Sequence, residues 1–366
     1  MKRYISNHPF IFLICLVLFA SCCAGGFLAL GQVGRGSIEV MVLASTPATV
    51  TAPAPATETV TVILPTAKGE TPSVEVVIPT ATYTPTLENI ATSLPATTTP
   101  TVEETVTEST NPLVVHFIDV GQGDSILVVS PNGLTALIDG GSANTGVVAY
   151  LRVQGVERID LMIATHPHED HIGGLIQVLE AMPVARVVTN GQVHTTATYE
   201  HFLDAILSSE AEYSEVQRGD SVALGEMEFS VLSPGGSLGD DLNENSVVLR
   251  LVYGQTTFLF MGDAGMDAEG RMLAAGVPLK ADILKVGHHG SCSATSLSFL
   301  QAVQPEVGIY SAGINNQYGH PCAETINALN QRGVLVLGTD VNGSIIVTAT
   351  EDGYRITDTA GEDLRK

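Results

Sequence analysis

From residue 113 onward, apolar residues fall in short blocks that alternate between two spacings. Strand-length runs at 113–120, 124–129 and 134–138 are separated by Gly121-Gln122-Gly123 and Pro131-Asn132-Gly133, turn sequences that predict an antiparallel meander. Helical spacing at 147–153 leads to a largely apolar run at 159–164, an amphipathic segment at 172–182, a strand at 185–189 and a helix near 199–209. Short strands at 214–217, 221–224 and 227–232 then open a second half that copies the first. Strands at 247–252 and 257–261 are followed by a helix near 268–275, a strand at 283–286, a helix near 297–303, a strand at 307–311 and a helix near 323–332, with closing strands at 334–337 and 344–348. Two meanders, each passing into strands interleaved with helices, predict an α/β fold of two sheets face to face with helices outside. The stretch is long enough to bury a substantial core without the residues that precede it.

Those preceding residues divide in two. Lys2 and Arg3 precede an almost wholly apolar run at 9–24, the pattern of an export signal or a membrane anchor. Leu18-Phe19-Ala20-Ser21-Cys22 resembles a bacterial lipoprotein box, in which Cys22 would be lipidated after cleavage. In the other version the apolar segment continues to Leu30 and stays as an uncleaved single-pass anchor. Either one puts the remainder outside the cytoplasm, held at the cell membrane. From about 45 to 112 the composition shifts to Thr, Pro, Ala, Val and Glu, which cannot bury enough surface to offset its ordering entropy. A disordered stalk is expected, with Thr59-Val-Thr-Val-Ile-Leu64 as an alternative strand. The expected organisation is thus 1–30 for export or anchoring, 31–111 as stalk and 112–366 as the globular domain.

The 366 residues carry 16 Lys and Arg against 39 Asp and Glu, a net charge of -23 that argues against a broad basic surface for nucleic acid. It does not exclude a phosphate substrate, because bound divalent cations invert the local field. Such a site is suggested by Thr165-His166-Pro167-His168-Glu169-Asp170-His171-Ile172-Gly173-Gly174, a loop from strand to helix. His166 and His168 can turn to one point while Asp170 and His171 address a second, and the glycine pair allows the helix a close approach.

This His-x-His-x-Asp-His pattern resembles the signature of the metallo-β-lactamase superfamily, which implies a four-layer αββα sandwich. Phe117-Ile-Asp119-Val-Gly121-Gln122-Gly123-Asp124, Leu137-Ile-Asp139-Gly-Gly, Asn243-Glu-Asn245-Ser246, Gly262-Asp263, Gly287-His288-His289-Gly-Ser and Tyr318-Gly-His320-Pro321 follow in an order similar to the extracellular hydrolase domain of ComEC-type DNA-uptake proteins and their stand-alone relatives. The many membrane spans of the full uptake channel have no counterpart here.

The resemblance implies two divalent metal ions, zinc or manganese, and hydrolysis through a metal-bound hydroxide. His166, His168, Asp170 and His171 are the expected ligands from the first motif, and Asp263, at the end of an apolar strand, is placed to bridge both ions. One of His288 and His289 completes the second site; the other faces substrate or donates a supporting hydrogen bond, since adjacent strand residues point to opposite faces. The usual mid-chain His ligand is replaced by the Asn245-Ser246 region, whose harder oxygen ligands make manganese as plausible as zinc. His194 and His201 are third-ligand alternatives by residue type only. Asp170 joins the catalytic group, and His320 is a candidate to protonate the leaving oxygen. Asp119, Gln122 and Asp124 are expected to orient ligands or substrate, and Asp139 to support the ligands from behind. Cys292 and Cys322 each lie beside a site histidine; they can form a disulfide, stay free, or add a soft metal ligand, whereas Cys15, Cys22 and Cys23 belong to the membrane segment.

The function expected is an exported, membrane-tethered phosphodiesterase or nuclease, with a phosphodiester such as DNA as substrate. A phosphorylcholine or other cell-envelope esterase is the alternative, and a stalked binding module on a hydrolase scaffold is the non-enzyme reading.

Overall fold

The structure, a computed structural model, describes residues 111–365 together with four short strands nearer the N-terminus. Gly31–Val33 pairs antiparallel with Gly36–Ile38, and Thr59–Ile63 with Ser73–Val77, the latter two being β-branched runs of the Thr/Pro-rich stretch. The expected export segment over 1–30 and the rest of the stalk over 31–111 lie outside the described residues. Among the described residues, no helix is long and apolar enough to cross a membrane.

In the folded domain, strands β1 (Leu113–Phe117), β2 (Ile126–Val129) and β3 (Thr135–Ile138) form the first antiparallel meander. Helices α1 (Val147–Val153), α2 (Glu169–Ala181) and α3 (Ala197–Ser209) then alternate with the parallel strands β4 (Leu161–Ile163), β5 (Arg186–Thr189) and β6 (Glu212–Glu215). The second half repeats the scheme with a meander of β7 (Ser221–Leu224), β8 (Met227–Ser233), β9 (Val248–Tyr253) and β10 (Thr256–Phe260). Helices α4 (Met266–Ala275), α5 (Leu297–Val303) and α6 (Ala323–Asn330) connect it to the parallel strands β11 (Ile283–Lys285), β12 (Val307–Tyr310) and β13 (Leu335–Gly338).

After a short helix α7 (Thr339–Asn342), the hairpin of β14 (Ile345–Thr350) and β15 (Gly353–Asp358) returns to the first sheet, where β14 pairs antiparallel with β1. The first sheet therefore runs β6-β5-β4-β3-β2-β1-β14-β15 and the second β7-β8-β9-β10-β11-β12-β13. Strand β15 escapes the hydrophobic pattern because it is an edge strand in which only Ile356 is fully buried. The strand expected at 214–217 sits two residues earlier, at Glu212–Glu215.

Three apolar layers account for the architecture. Side chains from both sheets, among them Phe117, Phe229, Phe258 and Phe260, fill the space between them. Phe260 lies at the centre of these rings, 5.9 Å from Phe258 and 6.3 Å from Phe117. A second cluster lies beneath α1–α3 and a third beneath α4–α6, which gives the four-layer αββα sandwich. Both faces of the central strands are covered, so their sequences read as continuous apolar runs and not as alternations.

The loops that matter for function leave the carboxyl ends of β3, β4, β10, β11 and β12. Helix α2 begins at Glu169, earlier than its apolar spacing suggests, so Asp170 and His171 lie in its first turn, where the helix dipole favours a carboxylate. Its close approach needs Gly174, because a Cβ there would overlap the Gly140 carbonyl oxygen. Gly123, at φ +124°, performs the same service for the first glycine turn, whose Asp124 N–H donates to the Asp170 carbonyl. Replacing Gly174 by Ala should force α2 from the Gly140 turn, lower stability by about 1–3 kcal/mol in urea unfolding and weaken uptake of divalent metal. An unchanged unfolding midpoint would mean that the helix can back away without cost.

Candidate metal centre

Asp263, which follows β10, is the hub of the site. Its Oδ2 lies 3.3 Å from His171 Nε2 and 3.8 Å from both His166 Nε2 and His288 Nε2, while its Oδ1 lies 3.4 Å from His289 Nε2. Asp170 Oδ2 is also 3.4 Å from His289 Nε2. His166 Nε2 and His168 Nδ1 are 2.9 Å apart, so both histidines of the first pair turn to one point. Among the described residues four overlapping sets of ligand atoms share this centre, His166 with His171 and Asp263, Asp170 with His171 and His289, Asp124 with Asp263 and His289, and Asp124 with Asp139 and His171, the atoms of each within 4.8 Å of one another; His168 belongs to none of them.

The other nitrogen of each ring is held from behind. Asp139, in the left-handed region at φ 56°, accepts from Thr165 N–H at 2.8 Å, from the Thr165 hydroxyl at 2.7 Å and from His171 Nδ1 at 2.8 Å. That bond puts the proton of His171 on Nδ1 and turns Nε2 inward. His289 Nδ1 is 3.0 Å from the Ser311 carbonyl and 3.2 Å from Asp124 Oδ1. Asp124 is in turn 2.7 Å from the Lys285 ammonium, both groups being fully buried. His166 Nδ1 is backed by the Thr165 and Ser246 hydroxyls, and His288 Nδ1 by the Ser293 hydroxyl.

These residues fit divalent cations. His171 Nε2, His289 Nε2 and Asp263 Oδ1 are buried and aimed at the common centre without a hydrogen-bond partner. Four carboxylates, Asp124, Asp139, Asp170 and Asp263, surround it, and Lys285 is their one lysine or arginine partner among the described residues. Burial opposes a charged imidazole at His171 and His289, yet Asp263 with Asp139 pushes the first well above the ordinary range and Asp263 with Asp124 does so for the second. Burial favours neutral carboxyls at Asp263 and Asp170, but His289 and His171 carry both below the usual range. Burial, and then the proximity of His171, keeps His166 and His168 below the imidazole range, so they stand as neutral donors. Mixed imidazole and carboxylate donors suit zinc and manganese alike.

Of the His pair, His289 is buried among the ligand atoms, and His288 lies on the open side with Asn243 3.3 Å from its Nε2. The strand ends at Lys285, and both histidines occupy a left-handed turn at φ 48° and 54°, so their divergence comes from the turn and not from alternating strand faces. His320 joins from the loop after β12, its ring centroid 5.4 Å from that of His288, 6.1 Å from that of His289 and stacked 5.8 Å from Tyr318. Burial and the neighbouring His289 and His288 hold it below the ordinary imidazole range.

Other expected site residues lie elsewhere. The Asn245 amide is used up by its own loop, donating to the Gly239 and Asp241 carbonyls at 2.8 Å and to Gln192 Oε1 at 3.0 Å, while accepting from Gly239 N–H. It shapes the loop and is not turned to the metal ligands; the Ser246 hydroxyl instead accepts from Asp263 N–H at 3.2 Å. Asp119 is exposed and accepts from Gly121 N–H on its own turn. Gln122 Oε1 accepts from Gly313 N–H, tying that turn to the loop that carries His320. His194 stands beside His168 with ring centroids 6.1 Å apart, outside these ligand sets, and His201 is exposed on α3. Sequence reading passed over Lys285, whose signal is a charge inside the apolar run 283–286, and also Thr165, Ser311 and Asn316. Cys292 and Cys322 are joined as a disulfide with Cα atoms 5.3 Å apart.

The sequence profile of the metallo-β-lactamase superfamily matches residues 118–314. ComE operon protein 3 of Bacillus subtilis (strain 168) is 32% identical over 250 residues, covering 63% of this chain and 32% of that protein. Competence protein ComA of Neisseria gonorrhoeae is 33% identical over 239 residues, 64% of this chain and 32% of its own length. The chain thus spans about a third of the length of these relatives. Among solved structures, the metallo-β-lactamase fold protein YhfI from Bacillus subtilis superposes over 65% of this chain and all of its own, with a TM-score of 0.48 and 14% identity. The chain belongs to the metallo-β-lactamase superfamily, and within it is related to the competence proteins of the ComEC type.

Proposed function

We propose that the domain is a dinuclear metal-dependent phosphodiesterase, with DNA the first substrate to test, working outside the cytoplasm and tethered by its N-terminal segment. The observation that carries the reading is Asp263, within 4 Å of four imidazoles and beside the Asp170–His289 contact. In this reading His166 and Asp263, with His168 turned to the same point, would hold one ion, and Asp170, His171, His289 and Asp263 the other. Bound divalent cations would supply Lewis acidity towards phosphoryl oxygens and acidify water.

The protein's own groups do the rest. Asp139 and the Ser311 carbonyl fix the tautomers of His171 and His289, so that each presents Nε2 to the centre. His320, whose Nδ1 is buried without a partner, would supply the proton for the leaving oxygen from Nε2. The Cys292–Cys322 disulfide supports the extracytoplasmic reading, since such bonds persist in oxidising compartments. A phosphorylcholine or other envelope esterase is a second reading, favoured by the net charge of -23, which repels a polyanion.

Elemental analysis of the dialysed protein should find close to two divalent ions in the wild type, and Asp263→Ala should lose activity together with the second ion. Undiminished metal in that variant would remove Asp263 from the site. Turnover of a thymidine dinucleotide and of a choline phosphate ester by the loaded protein separates the two substrate classes. His320→Ala should retain metal and lose about 10²–10⁴-fold in turnover of the dinucleotide, but little on bis(4-nitrophenyl) phosphate, whose leaving group needs no proton. Equal fractional activity on both substrates would exclude His320 as the acid.

A further inference from the structure

The ring of His320 is not held by its own hydrogen bonds. Its Nδ1 is buried without a partner, and its neighbours are the rings of His288, His289 and Tyr318. Its place is therefore set by the backbone that carries it, and that backbone is fixed on both sides. On the amino side, Asn316 uses its whole amide: Oδ1 accepts from Tyr318 N–H at 3.1 Å and His320 N–H at 3.0 Å, and Nδ2 donates to the carbonyls of Gly313 at 2.9 Å and His320 at 2.5 Å. On the carboxyl side, Cys322 N–H donates to the Gly290 carbonyl at 2.8 Å, and Pro321 sits so close to Gly290 that a Cβ there would meet it at 2.8 Å. The Cys292–Cys322 disulfide then joins the third residue after His289 to the second after His320.

We infer that Cys292 and Cys322 are positioning residues for His320: their disulfide clamps the loop of the proton donor onto the turn that carries His288 and His289, and so makes proton delivery sensitive to thiol reductants. The inference rests on the proposed role of His320 as the acid. Cys292 is exposed and open to attack by a dithiol. The dithiol supplies two electrons and two protons and leaves as its own cyclic disulfide; the Sγ–Sγ bond breaks and two thiols form. What remains on the carboxyl side is the Cys322 N–H bond to the Gly290 carbonyl, the Thr325 hydroxyl bond to the Ser291 carbonyl at 2.8 Å and the Pro321 contact. The metal ligands are untouched, because His289 stays fixed through Ser311 and Asp124.

The test compares the full oxidised chain, the same protein reduced with dithiothreitol and desalted, and the Cys292→Ser/Cys322→Ser variant, with metal content checked in each. The first readout needs no substrate: carbethoxylation of His320 by diethyl pyrocarbonate, followed by peptide mass spectrometry. Reduction or substitution should speed labelling of this half-buried ring several-fold, with metal retained; unchanged labelling, or loss of metal, overturns the inference. The second readout is turnover. The dinucleotide should be cleaved about 10- to 100-fold more slowly, as expected for a misplaced catalytic group, with bis(4-nitrophenyl) phosphate little affected and full activity restored on reoxidation. Equal loss on both substrates would show a merely stabilising bond and sinks the proposal. If His320→Ala discriminates between the substrates and the cysteine variant does not, the clamp alone fails. If His320→Ala does not discriminate, the role of His320 as acid fails and the inference falls with it.

Discussion

The loops of the metal centre are organised around a concentration of buried negative charge. Asp124, Asp139 and Asp263 are almost wholly buried and Asp170 partly so, and among the described residues the ammonium of Lys285 is the one lysine or arginine charge set against them. Carboxylates removed from water cost several kcal/mol each unless paired, so their gathering requires compensating charge. Imidazoles surround them, and those rings come from the carboxyl ends of strands in both sheets. Each loop is therefore held twice, by the apolar layer beneath it and by the polar contact at its tip. Asp139 ties the loops after β3 and β4 together within the first sheet through Thr165 and His171, and Ser246, between His166 and the Asp263 amide, joins that sheet's loops to those of the second.

The parts legible in the sequence are those with dense local signals. His166 to His171 lie within six residues, and Asp263 and the His288-His289 pair each follow an apolar strand, so their meeting could be expected from the family pattern. The two meanders were legible because glycine and Asn-Gly turns separate runs of strand length. What was not legible depended on contacts distant in sequence or on backbone conformation. The left-handed turn at His288 and His289 leaves no mark in apolar spacing, and it decides which ring faces inward. Asn245 looks like a ligand by residue type and is a loop tie because Gly239, Asp241 and Gln192 converge on it. Lys285 resembles the exposed member of an alternating strand until Asp124, 161 positions earlier, is placed against it.

The pairing of β1 with β14 joins Leu113 to Ala349 and Phe117 to Ile345 across nearly the whole domain. Loop-closure entropy delays contacts of such separation, so the first sheet is completed late in folding. A chain that emerges amino end first presents β1 with one row of backbone donors and acceptors unpaired until residues 345–350 arrive. An exposed strand edge invites pairing with other chains. Aggregation during synthesis would therefore start at this edge, and a chaperone that covers an extended Val-Val-His-Phe segment would guard it best.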